Sequence, residues 1–341
     1  MTAAVQRRTG RLTSTGIVTI VLALSIVVGA ILTALEGRNF FSAGNLSSIL
    51  TATSILGFIA IGQTLVILVG SLDLSVPYVV SLTSVLAAGT MAGETGNVLP
   101  AVLVALGVAA VLGLVSGLVV SLLHVHGFIA TLGMGLIVSG YLATNYQGNH
   151  GAAPRSFRLI GATQIGPVPV SFLILLGCAG AAILMLRRTR MGHHLYAVGG
   201  NAEVARLSGV RTPVPIVTAH VLCSVLCGMA GLLLLARLSV GNPTIGSQGQ
   251  YDLMSIAAVV LGGTVLGGGK GNVTGTLAGV AIFAVMSNVM AVMQIDPFLR
   301  DVIRGAVIVI AVAVYARREV SRRPARFEAG RTGSATLQGV R

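Results

Sequence analysis

The sequence predicts an all-α polytopic membrane protein of about ten transmembrane helices, some of them short or broken, with both termini cytoplasmic. Three observations predict it. Of 341 residues, 54% are hydrophobic and only 9% charged, far too few charges for an ordinary soluble domain. Apolar runs follow one another along nearly the whole chain. The basic residues gather at the ends of those runs, most heavily on one side of the succession, as the arginine excess of cytoplasmic loops demands.

Taken in order, Arg7, Arg8 and Arg11 precede the first run, 17–35, which is long enough to span. It exceeds the core of a usual signal peptide and no clear small-x-small cleavage site follows, so it reads as an uncleaved first span behind a cytoplasmic tail, 1–16. The runs 49–69, 74–92, 98–123, 128–146, 170–186, 214–236, 253–266, 273–293 and 302–315 follow. Several are short or interrupted by Gly and Pro, and a broken or re-entrant segment is tolerated where protein or water satisfies the freed backbone groups. Threaded from an inside start, the chain keeps Arg187 to Arg211, Lys270 and the tail 317–341 inside, while Arg38, Arg155, Arg158, Arg237 and Arg300 fall outside or near outer span ends. One span fewer would put the arginine-rich tail on the wrong face. The membrane domain is therefore 17–316, and the basic cytoplasmic tail, 317–341, is expected to be disordered. The net charge of +13 fits anchoring to anionic membrane lipid, and not a nucleic-acid partner, because the cations cluster at span ends and in this tail. The 45 glycines suit helices that approach one another through small residues.

One long polar interruption, 187–213, divides the runs and carries Arg187, Arg188, Arg190, Arg206 and Arg211, which place it in the cytoplasm. Within it Asn201 suits a helix N-cap, Glu203 the first turn, where the dipole favours an anion, and Gly209 the far end. The helix between, about two turns, is too short to stand alone in water, so something else must hold it. Val204 and Leu207 share one face, a shape that docks into a partner's groove; an ordinary inter-helix loop is the alternative.

Asp73, in the stretch 62–75, is one of few acids near membrane depth, where a bare carboxylate costs roughly 2.5–3.5 kcal/mol on insertion scales. It needs a partner, and two readings stand: a cap on the free backbone donors of the next run, or a functional group on a polar path or its cytoplasmic gate. Lys270, in the glycine-rich 257–279, invites a phosphate-binding loop. That fails twice, because Thr264 stands where the first glycine belongs and Gly271, not Ser or Thr, follows the lysine. Gly271, Gly275 and Gly279 read instead as a ridge at i, i+4, i+8 on which a neighbouring helix packs closely. His124 and His126 are two apart with no third ligand, and Cys178, Cys223 and Cys227 lie in apolar runs as small buried residues, so neither metal nor cofactor is expected. No Ser-His-Asp, paired-carboxylate or HExxH arrangement appears, and no catalytic residue is assigned.

Five stretches in order, GSLDLSV, HGFIATLG, YAVGGNAEVARLSGV, IAAVVLGGT and GGGKGNVTGTLAG, resemble the permease subunits of bacterial ATP-binding-cassette (ABC) sugar importers of the ribose/xylose type, from about Phe41 to Ala316. Pro77 departs from the family, which usually has Gly there. The resemblance implies a bacterial cell-membrane permease for a monosaccharide or similar small polar solute, with ATP hydrolysed by a separate subunit. That subunit would receive Gly200, Asn201, Glu203, Val204, Arg206, Leu207 and Gly209 in a cleft. An extracytoplasmic substrate-binding protein would land on the outer rim formed by 147–169 and 238–250, and a second permease copy, identical or closely related, would complete the path. A path for sugar hydroxyls needs amide and hydroxyl partners, and among the polar residues within or beside spans Gln63, Thr64, Asp73, Ser75 and Asn288 are the candidates for its lining. Asn145 and Ser287 are further polar positions within spans, and for any one of these residues an interhelical hydrogen bond is the plainer role. The competing class is an ion-coupled secondary transporter, which would be expected to carry several ionisable residues inside its spans; little beyond Asp73 answers that description.

Overall fold

A computed structural model describes residues 14–320. The expected tails lie outside the described residues except at their inner ends, where helix already begins at Ser14 and continues to Val320. Helix α1 (Ser14–Leu35) is followed by α2 (Ala43–Leu68), capped by the Ser42 hydroxyl. Helix α3 (Val76–Met91) starts with a proline in its first turn, where the missing N–H is no loss, and stops at Ala92 in the left-handed region. After a single 3-10 turn at Thr95–Asn97 come α4 (Val98–Leu122) and α5 (Gly127–Asn145). The expected outer segment contains α6 (Arg155–Ala162) and an antiparallel hairpin, β1 (Gln164–Ile165) with β2 (Val168–Pro169). Then follow α7 (Val170–Arg188), α8 (Arg190–Gly200), α9 (Ala202–Leu207), α10 (Pro213–Leu238), the short α11 (Ile245–Gln248), α12 (Tyr251–Leu261), α13 (Val273–Val292) and α14 (Pro297–Val320).

Among the described residues seven helices, α1, α2, α4, α5, α7, α10 and α13, are long and apolar enough to cross a membrane, and α3 and α12 are apolar but shorter. Helix α2 is apolar all round and buried from Thr51 to its end, apart from the half-buried Ala52, with α10 and α13 against it. The outer helices show the opposite: Leu24 and Ile31 of α1, Leu103 of α4, Ile137 of α5 and Leu184 of α7 are exposed, as residues facing lipid should be.

Small residues set the closest approaches. A methyl group added at Gly113 would meet the His220 carbonyl oxygen and one at Gly117 would meet Val217 Cα, so α4 lies directly on the backbone of α10. Gly275 and Gly279 bring α13 onto the carbonyls of Gly262 and Ala258 in the same way. Gly271 does not extend that ridge. Asn272 caps α13 by accepting from Gly275 N at 2.6 Å, so the helix begins after Gly271, which packs against Thr264 from the preceding loop. Gly279→Val is expected to force α12 and α13 apart and lower stability by about 3 kcal/mol or more, read as thermal unfolding in detergent. Gly107→Val, where nothing lies within 4 Å, should leave the transition within about a degree of the parent for want of any clash.

Candidate functional site

Helix α9 stands out from the bundle on a buried base. Asn201, in extended backbone at φ −165°, ψ 107°, accepts hydrogen bonds from Glu203 N and Val204 N at 3.0 Å each. At the far end Gly209, at φ +85°, lets Val210 N return to the Ala205 carbonyl at 3.0 Å. Ala205 points inward and is buried, while Val204 is 57% and Leu207 78% exposed. Glu203 and Arg206 pair at 3.1 Å in open solvent, where such a pair contributes little to folding. The outward face of α9 therefore presents apolar side chains and a charge pair, held in place by local capping.

The base is α8. Thr189 caps it, and Leu195 and Val198 are buried beneath it. Gly199 lies so close to the end of α2 that a methyl group there would land on the Leu68 carbonyl oxygen, which already accepts from Gly269 N at 2.9 Å. Tyr196 donates its hydroxyl to the Gly271 carbonyl at 2.9 Å. Burial pushes its phenol up, against an opposing pull from Arg187, so the donor proton stays in place. Gly268 and Gly269, at φ +85° and +71°, bring their backbone against Gly199 and Gly200. This close approach is what the glycine run around Lys270 serves, rather than a cradle for phosphate.

Beside that base the chain between α2 and α3 runs through the interior without helix, after a turn at Val69 and Gly70. Ser71, Asp73 and Ser75 are all buried, so this backbone has to find its partners within the protein. Leu74 N donates to Thr131 Oγ1 of α5 at 3.0 Å, and the same hydroxyl reaches the Leu72 carbonyl at 3.1 Å. Asp73, 1% exposed, accepts from Ser75 N at 2.9 Å and Ser75 Oγ at 2.6 Å through one carboxylate oxygen. The N-cap position of α3 is Ser75, with no side-chain cap bond. Asp73 thus ties the turn just ahead of α3 and is not itself the residue that caps it. Its other oxygen lies 3.5 Å from His220 Nδ1 of α10, the reach of an ion pair more than of a hydrogen bond. The second ring nitrogen of His220, Nε2, is 3.1 Å from Ser71 Oγ. His220 is absent from the residues that spacing and motifs select, although a histidine in mid-run, flanked by VTA and VLC, was a legible signal of a buried polar partner.

The other expected path residues do not meet in one place. Gln63 of α2 faces α10, its Oε1 3.9 Å from Cys223 Sγ, whereas its neighbour Thr64 faces α13 and bonds Thr276 Oγ1 at 2.8 Å. Asn288 bonds Asn45 Oδ1 at 2.9 Å, four turns along α13 from its Asn272 cap. Gln63, Thr64, Asp73 and Ser75 are wholly buried in this conformation. Cys223 and Cys227 are buried and free, and among the described residues no group of three ligands for a metal forms.

Residues 45–312 match the family described as branched-chain amino acid transport system, permease component. The chain is similar to the ribose import permease protein RbsC of Escherichia coli (strain K12), at 38% identity over 283 residues that cover 81% of this chain and 87% of the relative. RbsC of Bacillus subtilis (strain 168) is 34% identical over 292 residues, 85% of this chain and 90% of the relative. The galactose/methyl galactoside import permease protein MglC of Escherichia coli (strain K12) is 32% identical over 308 residues, covering 83% and 91%. No solved structure matches. A membrane-spanning helical bundle matched over most of its length, and relatives covered nearly end to end, lead to one assignment: the chain belongs to the permease-component family.

Proposed function

We propose that this permease forms the solute path of an ABC importer in a bacterial cell membrane, and that the solute is a monosaccharide or a similar small polar molecule. The names of its relatives, ribose and galactose import permeases, support the solute class. ATP hydrolysis belongs to a separate subunit, which docks on α9, chiefly through Gly200, Asn201, Glu203, Val204, Arg206, Leu207 and Gly209. A solute-binding protein docks on the opposite face, over 147–169 and 238–250, and a second permease copy completes the path. The seven long helices, the shorter α3 and α12, and α14 make up the crossings, which puts both termini on the face of α9, the cytoplasmic one. Gln63, Thr64, Asp73, Ser75 and Asn288 become lining when α2 parts from α10 and α13.

The observation that carries this reading is the outward face of α9, apolar at Val204 and Leu207 yet supported from beneath by α8, whose Leu195 and Val198 are buried. A partner that grips it differently in its ATP-bound and ATP-free states biases the spans between outward-open and inward-open arrangements. Replacing Val204 and Leu207 together by Asp should stop an ATP-hydrolysing subunit from co-purifying with the permease, while the amount of permease in the membrane stays the same. Undiminished co-purification would contradict the docking. Glu203→Ala and Arg206→Ala, which alter an exposed pair, should leave the protein inserted but separate ATP hydrolysis from uptake; normal uptake by both counts against the role of α9.

A further inference from the structure

We propose that His220 is a positioning residue that carries movement of the α8–α9 unit to the segment 69–75 that links α2 to α3. The inference rests on the reading that α9 receives the push from the ATP-hydrolysing subunit. His220 lies two turns into α10, about 10 Å along the axis from the helix start that follows α9. Among the described residues, its ring makes both of the polar ties between α10 and the segment, to Ser71 Oγ at 3.1 Å and to Asp73 at 3.5 Å. The ring therefore works as a fork, gripping the segment at points two residues apart.

At that level α10 also packs on α2, where Gly62 lies against the backbone of Cys223. Across from it α4 presents Gly113 and Gly117, bare of side chain, against His220 and Val217. Closely packed helices can still slide past one another by a small amount, the shear kind of motion. When α10 shifts, the segment has to follow through His220. Thr131 ties the same segment to α5 instead, a helix that does not continue from α9. Burying Asp73 and His220, at 1% and 0% exposure, is an expensive way to gain mere stability, since well-packed apolar residues do as well. A fixed register between α10 and the segment is what the pair provides.

The assembled importer, with its ATP-hydrolysing subunit and solute-binding protein, is reconstituted in vesicles and the ATP hydrolysed per solute imported is measured with labelled ribose and galactose as probes. Ser71→Ala, which cuts a tie to α10 without exposing a charge, is expected to raise that ratio about threefold or more. Thr131→Val loosens the same segment from α5; uptake and hydrolysis should fall together, with the ratio as in the parent. His220→Gln keeps a side-chain nitrogen where Nε2 stands and should hold the ratio within about twofold of the parent. Equal shifts in Ser71→Ala and Thr131→Val, or no shift in Ser71→Ala, overturn the inference and leave the importer reading intact. Failure of the parent importer to accumulate either sugar with ATP overturns the sugar-importer reading and the inference with it. Should His220→Gln fail to assemble, the comparison of Ser71→Ala with Thr131→Val decides alone.

Discussion

Gly199→Ala is expected to reduce uptake to less than about a tenth of the parent value, because the added methyl group has nowhere to go. It would land on the Leu68 carbonyl oxygen and beside Gly269 N, and both are backbone atoms already bonded to each other at 2.9 Å. A flexible side chain in that place would swing away. Backbone at the end of a buried helix cannot, so α8 must lift from α2 and from the loop that precedes α13. That lift breaks the Tyr196 bond to the Gly271 carbonyl and tilts α9, which stands on α8. Overpacking of this kind costs about 1–3 kcal/mol and sometimes more, enough to displace α9 without unfolding the bundle. Uptake and co-purification of the ATP-hydrolysing subunit are the measurements. Gly140→Ala on α5, where a methyl group meets nothing within 4 Å, is the matched control and should behave as the parent.

Asp73→Ala is expected to be the most destabilising single change on the interior segment, by about 2–4 kcal/mol, because it leaves the buried Ser75 N–H and hydroxyl without their acceptor. His220 would keep its Ser71 contact but lose the carboxylate, and Ser75 would lose the acceptor of both its backbone N–H and its hydroxyl. Removing both partners tests the cause. The double variant Asp73→Ala with His220→Leu should lose less than the sum of the two single losses, by about 1 kcal/mol or more, since it leaves neither polar group facing an empty place. Thermal unfolding of the four proteins in the same detergent gives the comparison. Strict additivity would mean that the two groups do not interact.

What could be read before the structure was local. The capping of α9 depends on Asn201, Glu203 and Gly209 within one short stretch, and each acts on backbone a few residues away, so spacing alone reveals it. The long apolar runs are legible for the same reason. The Asp73–His220 pair is not, because it joins loop to helix across nearly half the chain, and no periodicity links them. Nor could spacing show that Gln63 and Thr64, neighbours on α2, serve different helices, since that depends on what packs on each side. The expected run 253–266 overshoots α12, which stops at Leu261 because Gly263 turns the chain at φ +91°. The segment 147–169, expected as an outer polar rim, holds α6, too short and mixed in composition to declare itself but fixed by the burial of Phe157.

On the proposed reading this polypeptide is a gate moved from outside, by force applied at α9, with no energy source of its own. Labelled-sugar accumulation is to be measured with the permease in sealed vesicles, alone and then with its ATP-hydrolysing subunit and solute-binding protein. Accumulation against a gradient only when the other subunits and ATP are present is the predicted result. Accumulation by the permease alone, driven by an ion gradient and indifferent to nucleotide, would contradict it.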